Sequence, residues 1–186
     1  MSWNQKTKIV GGTKNTFQDI QFDGSLVVSD IHDARIQNGI SFRAETSGLT
    51  IAAGATKTYI GITSGNTIET WFQVSVETND TIKYKVYLEP TGTTGTLMSI
   101  SSRNPHVQYL GGRSAVYTLY DNPTFSTAGT IIRNKTIGTW GIPYESKWTI
   151  LSPNQALMFE FENPTASAVS PNIVFWLEEV EDGVDE

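Results

Sequence analysis

Apolar and polar side chains alternate one by one through most of this chain, and a period of two marks a β-strand that buries one face and exposes the other. In TIKYKVYLEP, Ile82, Tyr84, Val86 and Leu88 alternate with Lys83, Lys85, Tyr87 and Glu89 until Pro90, which lacks the N–H of a strand ladder, ends the run. In ETWFQVSVETND the apolar set is Phe72, Val74 and Val76, with Thr70, Trp71, Gln73, Ser75 and Glu77 around it. Asn79 and Asp80 supply turn chemistry after it, so these two strands are expected to pair as an antiparallel hairpin. Further strands are expected over Leu26 to Ile31, Ala34 to Ala44, Thr58 to Thr63, Leu97 to Ser102, Ala115 to Tyr120, Thr130 to Arg133, Ala156 to Glu162 and Ile173 to Glu178. Ser152 and Pro153 would suit the start of a helix. The alternation of Leu157, Phe159 and Phe161 with Met158, Glu160 and Glu162 keeps that segment a strand.

Short strands, turn-rich connections and no sustained 3.6-residue period exclude an α/β fold and point to an all-β, antiparallel β-sandwich, jelly-roll-like. At 186 residues the chain fits one domain with a core of its own. Residues 1–20 are polar and interrupted at Gly11 and Gly12, so they read as an extended N-terminal arm; residues 21–178 read as the β-sandwich domain and 179–186 as a solvated acidic C-terminal tail. Residues 178–186 hold six acids and no base, which leaves 13 acids against 13 bases in the rest. A balanced body of this kind has no general attraction for nucleic acid or an anionic membrane. Only 17% of residues are charged, against about 25% in ordinary soluble domains. Such an uncharged polar surface is typical of all-β virion and extracellular proteins.

With no cysteine and only His32 and His106 as histidines, thiol chemistry is excluded and a His-rich metal site has little to build on. No G-x-S-x-G elbow, P-loop, G-x-G-x-x-G, H-E-x-x-H or EF-hand pattern occurs. The expectation is a protein that is not an enzyme and carries no cofactor or metal. In the cluster Asp30-Ile31-His32-Asp33, alternation would put Asp30 and His32 on the same side, where a divalent ion would bridge them, but a polar turn accounts for the same residues. Glu160 and Glu162 lie side by side on one strand and do not flank a sugar as a glycosidase pair does, so they read as a solvated face. No eighteen-residue apolar run and no signal-peptide pattern appear, so a soluble product made in a host cytoplasm is expected.

Two features speak for binding. In NIVFWLEE both alternating sets are apolar: Ile173, Phe175 and Leu177 on one side, Val174 and Trp176 on the other. A two-layer sandwich buries one of these sides, so Val174 and Trp176 need a cover, supplied by the arm or by a second subunit. The segment GTWGIPYESKW places Trp140 and Tyr144 in a connection, where flat rings suit a glycan contact. The arm adds Trp3, Ile9 and Phe17 as candidate contacts that order on a partner.

The pattern resembles the small all-β head decoration, or cement, proteins of tailed bacteriophages. The similar stretches are DGSLVVSDIHDARIQNGISFRAE, IKYKVYLEPT, WTILSPNQALMFEFEN and NIVFWLEE, with Arg35, Gly39, Phe42, Tyr87, Pro90, Trp148, Leu151, Pro153, Trp176 and Glu178 at the matching positions. The resemblance implies a non-enzymatic virion protein that binds the exterior of a preformed shell built from the major capsid protein and reinforces it, commonly as a homo-oligomer, here a trimer or dimer. It supplies no catalytic residue. The other reading is a carbohydrate-binding or host-adhesion module of a head or tail fibre, using Trp140, Tyr144 and Trp71.

Overall fold

The structure is a computed structural model that describes residues 16–20, 26–30, 40–63, 68–103, 114–138, 144–145 and 147–181, with 16–20, 26–30, 68, 144–145 and 180–181 as backbone only. These residues form strands and no helix. β1 (Thr16–Ile20) and β2 (Leu26–Asp30) pair as an antiparallel ribbon. There follow β3 (Ser41–Glu45), β4 (Thr56–Thr63), β5 (Ile68–Glu77), β6 (Ile82–Leu88), β7 (Thr91–Thr93), β8 (Thr96–Leu97), β9 (Ser101–Ser102) and β10 (Tyr117–Asp121). The last are β11 (Thr124–Thr127), β12 (Thr130–Ile137), β13 (Tyr144–Glu145), β14 (Thr149–Leu151), β15 (Ala156–Glu162) and β16 (Asn172–Glu181).

Two sheets make the body, and every pairing in them is antiparallel. The first runs β12-β6-β15-β4-β10-β8 and the second β13-β5-β16-β3-β9, with β14 also on β5. Their inward faces meet in one core, as the alternation demands. Phe72, Val74, Val76, Ile173, Phe175 and Leu177 come from the second sheet, and Tyr59, Tyr84, Leu119, Leu157, Phe159 and Phe161 from the first. Phe72 stacks on Phe159 across the gap at 4.7 Å between ring centroids, and Phe175 meets Phe159 and Tyr59 edge-on at 5.5 and 5.3 Å. Offset and edge-on pairs are the arrangements that ring quadrupoles favour. Gly61 is needed here, because a Cβ at that position would lie 1.3 Å from the Tyr117 hydroxyl.

The expected hairpin does not form. β5 belongs to the second sheet and β6 to the first, so the turn after Glu77 carries the chain across the core. The reason is that both edges of β5 are occupied, one by β16 and the other by β13 and β14. Thr78 and Asp80 still hold the bend, through Thr78 Oγ1 donating to Asp80 O at 2.9 Å and Thr81 N donating to Asp80 Oδ1 at 2.6 Å. The chain changes sheet at most of its connections, which is the winding of a jelly roll.

Three more expectations shift. The single strand expected over Leu97 to Ser102 is two short ones, β8 in the first sheet and β9 in the second, because Met98 and Ile100 between them pack against the core as the chain crosses. Residues 16–20, assigned to the arm, form β1. The boundary at 178 falls inside β16, which continues through Glu181; Glu178 and Glu179 are 0% and 1% exposed, so the acidic segment begins as buried strand and not as solvated tail.

Both central strands end their inward series in a buried polar side chain. After Phe161 comes Asn163, which donates to Ile51 O, Ala52 O and Ser167 O and accepts from Thr165, tying two loops together. After Leu177 comes Glu179, whose Oε1 accepts the backbone N–H groups of Val116 and Tyr117 and so links β16 to the start of β10 in the opposite sheet. Buried polar groups hold their place only when bonded in this way.

Candidate functional site

The outward face of the first sheet carries a row in strict register across all six strands. Ile131 on β12 pairs with Tyr87 on β6, Tyr87 with Met158 on β15, Met158 with Ile60 on β4, Ile60 with Tyr120 on β10, and Tyr120 with Leu97 on β8. Paired residues of an antiparallel ladder share a face. Tyr87, Met158 and Ile60 in the middle are buried, while the two ends are open, Ile131 at 53% and Leu97 at 60% exposure. Ile132 joins Ile131, because the register slips between Ile131 and Arg133 and leaves Ile132 as the extra residue of a bulge, 42% exposed. Each lateral edge of one sheet therefore presents aliphatic surface, the two lying about 24 Å apart at roughly 4.8 Å per strand.

Beside this row the same face is charged and self-compensated. Lys83 pairs with Glu162 at 2.9 Å and Lys85 with Glu160 at 2.6 Å, with a longer Lys85 to Glu162 contact at 3.7 Å. The hydrogen bond from Lys83 holds the Glu162 carboxyl below its usual value, and the bond to Glu160 raises Lys85 against the opposing effect of burial. Burial first, and then the nearby Glu160, push up the Tyr87 phenol. The two glutamates expected on a solvated face are thus half-buried members of an ion-pair ladder.

On the second sheet the outward face centres on Trp176. Arg43 of β3 lies opposite it in the ladder, with its guanidinium carbon 5.2 Å from the indole centroid, and Arg103, just after β9, approaches to 4.8 Å. Arg43 is paired with Glu45 at 2.5 Å. Arg103 forms no ion pair among the described residues; its Nη1 donates to Ser41 Oγ at 3.3 Å and its backbone N to Ser41 O at 2.9 Å. Ser99, Ser101 and Ser102 complete a groove of about 590 Å³ along these side chains.

Of the candidate residues, Val174 is 7% exposed within the single chain, so its cover is intramolecular and it offers little surface to a second subunit; Trp176 stays half-buried. Tyr144 stands in β13, paired with Val76 at the edge of the second sheet, and not in an open connection. Its side chain, like that of Phe17 on β1, is outside the described atoms, and so are Trp3, Ile9, Trp140, His32 and Asp33 entirely. Asp30 ends β2. Among the described residues no three His, Asp or Glu side chains cluster closely enough to hold a metal ion. Sequence reasoning passed over Ile131, Ile132, Leu97, Arg43 and Arg103. The adjacent isoleucines in TIIRNKTI were a readable signal, since neighbouring residues of a strand cannot both face one core; Arg103 had no comparable signal.

Comparison of the sequence with protein-family models gives no match, and comparison with curated proteins gives none either.

Proposed function

We propose that the chain is a non-enzymatic structural protein that binds the outside of a tailed-phage capsid and clamps neighbouring subunits of the major capsid protein. The observation that carries this reading is the pair of exposed aliphatic edges on one rigid sheet, Ile131 with Ile132 at β12 and Leu97 at β8. A clamp needs two contacts held at a fixed separation, and a hydrogen-bonded sheet supplies the fixed separation. Two modest contacts joined rigidly bind far more tightly than either alone, because the second forms at high effective concentration. A protein that binds the assembled shell and not its dissociated subunits stabilises the shell by mass action. The sequence resemblance to decoration proteins supports the same reading, and a homo-oligomer would multiply the contacts.

The test is co-sedimentation of the purified chain with empty shells of the phage that encodes it. Saturable binding at a fixed ratio to capsid subunits, with a higher temperature of shell disruption, is the expected result. Chain that stays in the supernatant at micromolar concentration removes the proposal.

A further inference from the structure

We propose that the groove beside Trp176 binds a carboxylate-bearing saccharide, a sugar acid of the uronic or sialic kind. This stands apart from the shell-binding reading, which uses the lateral edges of the other sheet. Arg103 stands beside Trp176 in the groove wall. Its backbone N–H and one guanidinium N–H donate to Ser41, its guanidinium carbon lies 4.8 Å from the Trp176 ring centroid, and no carboxylate neutralises it among the described residues. A guanidinium carries five N–H donors in a rigid fork that fits a carboxylate with two parallel bonds, and Arg103 spends one of them on Ser41. The bond to Ser41 and the contact with Trp176 restrain the side chain, which lessens the ordering that capture of an anion requires.

The surrounding groups decide which anion. Glu45 stands in the groove wall, with Oε2 taken by Arg43. Its remaining lone pairs accept hydroxyl protons, while its charge repels a dianion, so a polyol with one carboxylate fits where inorganic phosphate does not. Ser99 and Ser101 add hydroxyls that both donate and accept, the complement of a sugar edge. The groove volume, about 590 Å³, lies in the range of small-ligand sites. An acidic peptide is the weaker occupant, because peptides gain affinity by adding a strand to a sheet edge, and β9 at this edge is only two residues long.

The experiment is calorimetric titration of the full chain with D-glucuronate, methyl glucoside, inorganic phosphate and a hexaglutamate peptide. Glucuronate is expected to bind saturably, with methyl glucoside, phosphate and the peptide each at least tenfold weaker. Arg103→Gln is expected to lose at least tenfold in glucuronate affinity while its melting temperature stays near that of the parent, and Arg103→Lys to fall between. Glu45→Gln, away from the core, is expected to tighten phosphate and to change glucuronate affinity by less. The proposal is overturned if methyl glucoside binds as tightly as glucuronate, if phosphate or the peptide binds more tightly, or if a folded Arg103→Gln chain binds glucuronate unchanged. Should Arg103→Gln fail to fold, a Glu45→Gln chain that shifts neither ligand overturns it equally.

Discussion

β15 and β16 run through the two sheets as facing partners, alike on the side that meets the core and unlike on the side that leaves it. Leu157, Phe159 and Phe161 of β15 and Ile173, Phe175 and Leu177 of β16 are all 0% exposed, and each series closes on a bonded polar residue, Asn163 or Glu179. Outward, β15 presents Glu160 and Glu162 to the lysines of β6, whereas β16 presents Trp176 to two arginines. The inward residues answer one demand, filling a common core, so they converge in kind. The outward residues answer no shared demand, so they diverge. Over β15 every described acid of the ladder has its base, whereas over β16 Arg103 has no ion pair among the described residues.

The largest effects test the inward equivalence. Phe159→Ala and Phe175→Ala should each destabilise by about 3 to 5 kcal/mol in urea unfolding, from lost burial plus the cavity left behind. The rings touch at 5.5 Å, so the double variant should depart from the sum of the singles. A cost for one that is less than half the other would break the equivalence. Next come the polar ends. Asn163→Ala and Glu179→Ala each leave buried backbone groups without a partner and should cost roughly 1 to 3 kcal/mol by the same measurement. Glu179→Gln keeps an acceptor oxygen and should cost less than Glu179→Ala; an equal cost would mean that the charge, and not the bond to Val116 and Tyr117, matters at the end of β16.

The smallest effects test the outward difference. Trp176→Ala removes a half-buried ring under two guanidinium groups and should cost less than Phe175→Ala, at about 1 to 2 kcal/mol. The ladder on β15 should appear as a pH dependence. Glu162 titrates lower folded than unfolded, so its contribution is present above the unfolded carboxyl value and fades as pH falls through the folded one. Lys85 titrates higher folded than unfolded, so its contribution is full below the unfolded lysine value and fades as pH rises through the folded one. Glu162→Gln should flatten the acid side of the stability curve and change the alkaline side less, because Glu160 holds Lys85 more strongly than Glu162 does. An unchanged acid side would show that the ladder is electrically idle.

Much of the fold was legible because alternation is local. The inward sets of β5, β6, β15 and β16 follow from the sequence residue by residue, and Ala156–Glu162 and Ile82–Leu88 coincide with expected strands. Pairing was not legible in the same way. Whether Asn79 and Asp80 close a hairpin or an arch depends on who occupies the edges of β5, and those neighbours lie about 70 to 100 residues further along the chain. The buried state of Glu178 and Glu179 was hidden for a related reason: six acids in nine residues look solvated until the ladder to β5 and β3 is known. The groove at Trp176 joins residues from β3, from β9 with its flanking positions, and from β16, three places that share no sequence pattern. Its aromatic member was picked out by the double-sided apolar strand, and its cations were not.

The central claim, that two edges of one sheet hold two capsid subunits at once, is tested most directly by the disruption temperature of shells mixed with Leu97→Glu or Ile131→Glu chain. Each substitution puts a charge on an already exposed position of one edge and leaves the other edge intact. The account predicts that either single variant still associates weakly with the shell and raises its disruption temperature no more than the double variant does, since a clamp holding one subunit bridges nothing. A single variant that protects the shell as well as the unmodified chain would contradict it.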